Sequence, residues 1–229
     1  MKSPTRPVTS SGVLAAERPS VAASDSFYGR RGKRLLDLAL GIPLFFLWVP
    51  VAMVLAFGIL VTSGWTVLYS CERVGRGGRP FRMWKFRTMV HDADHLIQSW
   101  KDSSPQLAEE YANNFKVKHD PRVTRLGRLL RKTSLDELPQ LWNVLRGEMS
   151  LVGPRPYFAR ELALYPNIGP TILSVKPGMI GPWQVRGRNG LSPGARMRLD
   201  TEYAANVKLG KDLGYLILTV KPLLCWDGF

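Results

Sequence analysis

The chain has 229 residues, 45% of them hydrophobic, a formal net charge of +14 and a pI near 10.2. That length fits one compact domain plus appendages, with enough apolar content to bury a core. The basic excess calls for an anionic partner (nucleic acid, anionic lipid headgroups and nucleotide phosphates all qualify), and two cysteines, Cys71 and Cys225, exclude a disulfide framework and fit a reducing compartment.

In chain order, Met1 to Ser26 is rich in Ser, Ala, Pro and Val, and residues 1–29 are expected to form a disordered tail. A cleaved signal peptide is not expected, because the long apolar run starts only near Leu35 and lacks a small-residue cleavage site. From Leu35 to Thr62 the sequence is apolar except for Asp37. A soluble core helix would be shorter and polar on one face, so this run is assigned to lipid. As a straight helix it would measure about 40 Å at ~1.5 Å per residue, generous for one tilted crossing of a roughly 30 Å hydrocarbon core and too short for two. Pro50 near its middle removes a backbone donor, and Pro43 adds a second point of bending. Arg30, Arg31, Lys33 and Arg34 precede the run; Arg73, Arg76, Arg79 and Arg82 follow it. Positive charge on both flanks favours keeping both in the cytoplasm. A re-entrant helix-break-helix hairpin over 30–63, turning at Pro50, satisfies that preference; a Pro-kinked single span is the alternative.

Residues 64–229 are expected to form a compact cytoplasmic domain of α+β class. Trp65 to Tyr69 and Phe81 to Thr88 read as the strands of a β-hairpin, joined by the turn-rich Gly75-Arg-Gly-Gly-Arg-Pro80. Lys85 and Arg87 share one face of the second strand, where they fit either a solvated edge or phosphate binding. His91, Asp92, Asp94 and His95 superficially resemble a metal site, but no further ligand is evident and a solvated helix is the preferred reading. Arg122, Arg125, Arg128 and Arg131 recur every third residue beside Val123, Leu126, Leu129 and Leu130. On a helix this gives a basic stripe next to an apolar one, as in a helix lying on an anionic membrane surface; a protein or nucleic-acid face would look similar.

The most informative stretch is Arg131-Lys-Thr-Ser-Leu-Asp-Glu-Leu-Pro-Gln140 with Gly153-Pro-Arg-Pro156. It sets adjacent carboxylates, Asp136 and Glu137, among guanidiniums, a pattern that suits a nucleophile and a metal ligand acting on phosphate. Leu138, Leu141, Trp142 and Leu145 follow helical spacing, with Gly147 as a stop. Ser134 to Glu137 also matches a capping box, a purely structural role. Pro139 argues against it and for a helix start nearer Asp136 or Glu137, with free N–H groups beside the acids. The prolines around Arg155 limit its backbone, which helps aim a guanidinium at phosphate oxygens. Pro177 to Asn189 is a second glycine-rich loop, carrying Trp183, Gln184, Arg186 and Arg188, suited to stacking a base and holding phosphates. Leu199 to Leu224 alternates apolar and charged positions and reads as a helix on the core or the membrane.

At these residues the chain resembles the bacterial sugar transferases, the monotopic polyprenyl-phosphate phosphoglycosyl transferases. The resemblance runs from about Lys33 to Leu224 and rests on ordered motifs: Lys33-Arg-Leu-Leu-Asp37, Lys85-Phe-Arg-Thr-Met89, Asp120-Pro-Arg122, Ser134 to Gln140, Gly153 to Pro156, and Lys176-Pro-Gly178 through Gly187-Arg-Asn189. It is similar to the short initiating enzymes of exopolysaccharide synthesis, which carry no additional multi-span module. The resemblance implies Asp136 as nucleophile, Glu137 as its partner at a Mg²⁺ site, and phosphate contacts from Lys85, Arg131 and Arg155. Arg87, Gln184 and Arg188 join the expected substrate-binding set. It also implies a hairpin broken at a Ser-Pro pair; here Val49 stands in place of the serine, so the break relies on Pro50.

The expected activity is transfer of a hexose-1-phosphate from a UDP-sugar to polyprenyl phosphate, with release of UMP through an aspartyl phosphosugar. The expected partners are both substrates and anionic headgroups of the inner membrane, with no nucleic acid; a homodimer is left open. A membrane-tethered nucleic-acid-binding or scaffold protein explains the charge but not an acidic pair inside the basic region. A single-span glycosyltransferase would place the termini on opposite sides of the bilayer.

Overall fold

The computed structural model describes residues 27–91, 120–185 and 191–224, with scattered positions between 93 and 117. The expected tail, Asp92, Asp94 and Arg188 lie outside the described residues. The architecture mixes helices with small sheets.

Helix α1, Lys33–Ser63, 31 residues, is apolar enough and long enough to cross a membrane. It stays helical through Pro43 and Pro50, where a break had been expected at the second proline. Its side chains divide into two faces. Lys33, Asp37, Gly41 and Ile59 are buried, and Leu44, Phe45, Trp48, Ala52, Leu55 and Ala56 between them are partly buried against the rest of the chain. Steps of three or four residues keep that face on one side of the helix. The opposite face exposes Leu47, Val54, Phe57 and Val61, each more than two-thirds uncovered. Both ends of α1 therefore rest on one body.

Strands β1, Leu68–Val74, and β2, Pro80–Phe86, form the antiparallel hairpin, paired from Leu68 with Phe86 to Val74 with Pro80. The first strand lies C-terminal to the Trp65–Tyr69 expectation because the hairpin closes directly at Gly75, whose N–H donates to the Arg79 carbonyl at 2.8 Å. Gly77 and Gly78 adopt φ of 70° and 77°, conformations that other residues reach only with strain.

Helix α2, Arg125–Thr133, is capped by the Thr124 hydroxyl, which accepts from Gly127 N, and ends at Ser134 in the left-handed region, φ 57°. A 3₁₀ turn, Leu135–Glu137, follows, and helix α3, Gln140–Arg146, begins only after Pro139 and stops at Gly147, φ 81°. Ser134 thus closes α2 and makes no side-chain cap, which removes the capping-box reading. The helix start also differs from the sequence expectation: the acidic pair sits in the 3₁₀ turn, because Pro139 has no N–H and is tolerated before the first full α turn.

Strands β3, Ser150–Val152, and β4, Gly178–Ile180, pair in parallel. Gly153 and Gly178 make this possible: a Cβ on Gly178 would stand 2.1 Å from Gly153 N, and one on Gly153 would stand 2.6 Å from the Lys176 carbonyl oxygen. Short helices α4, Ala159–Ala163, α5, Gly169–Ile172, and α6, Pro182–Val185, surround this pair. Two longer helices, α7, Pro193–Ala204, and α8, Leu209–Leu224, replace the single C-terminal helix expected. Their joint carries buried Val207, and the first turn of α8 carries fully buried Asp212, which draws in Lys33 Nζ at 2.6 Å and the Tyr203 hydroxyl at 2.6 Å. That buried ion pair ties the start of α1 to the start of α8.

One core joins Met83, Leu141, Val144, Met149, Leu151, Val152 and Tyr203. A smaller cluster, Ile59, Phe86 and Leu130, lies under α1, the hairpin and α2. Burying a side chain such as Leu130 is worth about 1.5–3 kcal/mol, so this cluster fixes α2 against β2 and thereby positions the acidic pair.

Candidate active site

The acidic pair is held by elements far apart in sequence. Left-handed Ser134 reverses the chain and turns Asp136 inward, 7% exposed. Glu137 faces the hairpin, where Lys85 Nζ donates to its Oε1 at 2.6 Å. Arg131, one helical turn earlier, donates from Nε to the Thr88 hydroxyl at 3.0 Å. The Thr88 carbonyl in turn accepts from Thr124 N at 3.0 Å. Gly127 allows this close approach, since a Cβ there would stand 2.1 Å from the Thr88 carbonyl oxygen.

Burial pushes the Asp136 carboxyl up to about 6; Lys85 and Arg131 oppose that shift and Glu137 reinforces it. Burial also lowers the Arg131 guanidinium, against the attraction of Asp136 and Asp120. The result is a carboxylate that is little hydrated and flanked by cations, which favour its ionised form. Such a group can attack an electrophilic phosphorus while the same cations draw in its anionic substrate.

The other expected residues are placed differently. Arg87 extends β2, but its guanidinium donates to the Thr66 hydroxyl and its N–H to the Val67 carbonyl at 2.9 Å, so it braces the segment between α1 and β1. Gln184 Oε1 accepts from Gly181 N at the start of α6. Arg155 belongs to an arginine-aromatic cluster. Its guanidinium lies 5.5 Å from the Trp183 ring, with Arg196 at 5.2 Å from the same ring. Its backbone N–H donates to Asp200 Oδ2 at 3.0 Å, an oxygen that also accepts from the Tyr157 hydroxyl at 2.7 Å. Arg73 stacks 3.3 Å from the Phe158 ring and donates to the Pro156 carbonyl at 3.1 Å.

Sequence reasoning missed Arg73, Arg196 and Asp200. Arg73 reads as one more flanking charge after the apolar run, and Asp200 as one charge in an alternating helix. Asp200 is fully buried and burial pushes its carboxyl up to about 6, opposed by the Arg155 N–H, the Tyr157 hydroxyl and the Arg155 charge. Its Oδ1, with Nε of Arg73 and of Arg196, is buried without a hydrogen-bond partner among the described residues. Arg122 leaves the basic stripe: it precedes α2 and is buried in a bidentate pair with Asp120, at 2.8 and 2.5 Å.

Among the described residues no group of three or more His, Cys, Asp and Glu side chains gathers to hold a metal. The adjacent carboxylates of Asp136 and Glu137 still fit Mg²⁺, which commonly takes one or two protein carboxylates and fills its octahedron with water and substrate phosphate oxygens.

The exopolysaccharide production protein ExoY of Sinorhizobium fredii is 37% identical over 225 residues, covering 98% of this chain and 97% of that protein. The UDP-galactose-lipid carrier transferase of Erwinia amylovora is 43% identical over 196 residues, 86% of this chain. The UDP-glucose:undecaprenyl-phosphate glucose-1-phosphate transferase of Caulobacter vibrioides is 36% identical over 203 residues, 85% of this chain and 70% of that protein. The chain spans only 41% of the length of the Erwinia relative. The model of the family described as bacterial sugar transferase matches residues 28–225, a span that takes in α1, the acidic pair and the arginine-aromatic cluster, and the chain belongs to that family.

Proposed function

We propose that the protein is a sugar-1-phosphate transferase that moves a hexose-1-phosphate from a UDP-sugar to polyprenyl phosphate. The observation that carries this reading is buried Asp136 set between Lys85–Glu137 and Arg131. The names of the Erwinia and Caulobacter relatives, which specify a UDP-sugar, a lipid carrier or undecaprenyl phosphate, and a sugar phosphate, support the substrate class.

In the first step an Asp136 carboxylate oxygen attacks the sugar-bearing phosphorus. The P–O bond to UMP breaks, UMP leaves with the electron pair, and an acyl phosphosugar forms on Asp136. In the second step a phosphate oxygen of the lipid attacks that phosphorus and the bond to Asp136 breaks. The carboxylate returns and the product is a polyprenyl diphosphosugar. Lys85 and Arg131 offset the repulsion between two anions in each step. Asp136 and Glu137 would hold Mg²⁺, which would screen the phosphate charge.

The proposed setting is the cytoplasmic face of the inner membrane, with both ends of α1 kept on that side and its apolar outer face set into one leaflet. Support comes from the docking of both ends of α1 on one body and from the exposed apolar face between them. The outward side of α2, with Arg125, Arg128, Leu129 and Lys132 exposed, suits an anionic headgroup layer. A panel of UDP-sugars assayed for UMP release with undecaprenyl phosphate tests the reading: at least one donor should release UMP and Asp136→Asn should abolish it. Turnover by Asp136→Asn near the parent rate would remove Asp136 from this role.

A further inference from the structure

A cavity of about 340 Å³ lies between the start of α1, the C-terminus of α3 and the segment leading into β4. Its lining carries five cations, Lys33, Arg34, Arg76, Arg146 and Lys176, against one carboxylate, Asp37. Asp37 Oδ1 accepts from the Ser150 hydroxyl at 2.8 Å and from Leu151 N at 2.9 Å, and its one negative charge attracts Lys33 and Lys176, short of balancing five cations. Lys33 is paired with Asp212 at 2.6 Å, and Arg146 approaches Glu148 at 3.6 Å. Arg34 donates to the Val144 and Leu145 carbonyls, each at 2.6 Å, and has no carboxylate within ion-pair distance among the described residues. Lys176 and Arg76 have no carboxylate within ion-pair distance among the described residues.

Lys176 and Arg34 converge on the same glycine. A Cβ on Gly147 would stand 3.4 Å from Lys176 Nζ and 3.6 Å from Arg34 Cζ. Burial, then repulsion by Arg34, lowers the Lys176 ammonium below the usual lysine range, against the attraction of Asp37; Arg76 and Lys33 add to the lowering. Like charges held this close around a half-enclosed space repel one another unless an anion occupies it. The cavity is also remote from Asp136: Arg76 lies in the hairpin turn, and from Pro80 to Lys85 strand β2 alone covers about 17 Å at ~3.4 Å per residue.

We propose that this cavity is a second anion site, binding a phosphate group through Lys176, Arg76 and Arg34, apart from the acidic pair. Its place at the polar end of α1, beside exposed Leu35, puts it within reach of a phospholipid phosphate as well as a soluble one. The chemistry recognised is the same. The site does not depend on the reaction proposed above, and its test reads binding rather than turnover.

The full chain in phosphatidylcholine nanodiscs is titrated with inorganic phosphate and followed by ³¹P line broadening. In a parallel arm, phosphatidylglycerol retained by the protein is counted by native mass spectrometry. The variant Lys176→Gln with Arg76→Gln is compared with Arg79→Gln with Arg82→Gln, which removes equal charge from exposed hairpin positions, and with Lys176→Arg. The expected result is binding in at least one arm, weakened about tenfold or more by the cavity variant and kept by the hairpin control and by Lys176→Arg. Phosphate binding would identify a soluble source, and phosphatidylglycerol retention alone a lipid one. Absence of binding in both arms, or equal loss in the cavity and hairpin variants, would overturn the proposal.

Discussion

Gly127→Ala separates positioning from stability. The added methyl would stand 2.1 Å from the Thr88 carbonyl oxygen and 2.8 Å from Thr88 Cα. Carbon and oxygen do not pack that closely, so α2 and the end of β2 must move apart by about 1 Å. Overpacking of this kind costs about 1–3 kcal/mol, while replacing glycine by alanine within a helix returns about 1 kcal/mol. The net loss of stability is therefore modest, about 0–2 kcal/mol. Catalysis should suffer far more, because the displaced residue is Thr88, whose hydroxyl accepts from Arg131 beside Asp136. Misplacing catalytic groups by about 1 Å costs roughly 100-fold in rate. The assay pairs UMP-release kinetics with thermal melting, using Gly210→Ala as a control, since a Cβ there meets nothing within 4 Å. A Gly127→Ala enzyme with activity within about threefold of the parent would refute the argument that this contact sets the site.

On the role proposed for Lys85, Lys85→Gln should lower kcat/KM by about 100-fold, the usual cost of removing one charge that stabilises a transition state. Arg87→Gln should cost much less, because its guanidinium is engaged with Thr66; equal losses measured side by side would contradict that division of labour. Asp200 gives a pH signature. Its folded-state pKa is raised from 3.8 to about 6, so the folded chain holds that proton more tightly than the unfolded one. This contribution is full below pH 3.8 and lost as pH rises through about 6. Over that window it is worth at most about 3 kcal/mol. Denaturant melts from pH 4 to 7 should show parent stability falling relative to Asp200→Asn; parallel curves would remove Asp200 as the source.

The acidic pair was legible in the sequence because its logic is local: Asp136, Glu137 and Arg131 lie within one short motif, and Lys85 sits in a second compact motif. The structure joins Lys85 to Glu137 directly. What stayed hidden depends on contacts between distant segments. Asp200 acts on Arg155 and Tyr157 across more than forty residues, and no periodicity reports such a bond. Arg122 misled for the same reason, since its three-residue spacing from Arg125 suits a helix stripe while Asp120 draws it into the interior. Gly127 reads in sequence only as a weak helix position, and its use becomes visible when Thr88 packs on it. The left-handed turn at Ser134 likewise moves the helix start past Pro139. Pro50 is legible as a breaker, yet the helix is continuous there.

The most direct test takes the full chain, a UDP-sugar donor and no lipid acceptor, followed by peptide mass spectrometry. A hexose-phosphate mass is expected on the peptide carrying Asp136, discharged when polyprenyl phosphate is added and absent in Asp136→Asn. Product accumulating while that peptide stays unmodified, or the mass appearing on another residue, would contradict Asp136 as the nucleophile.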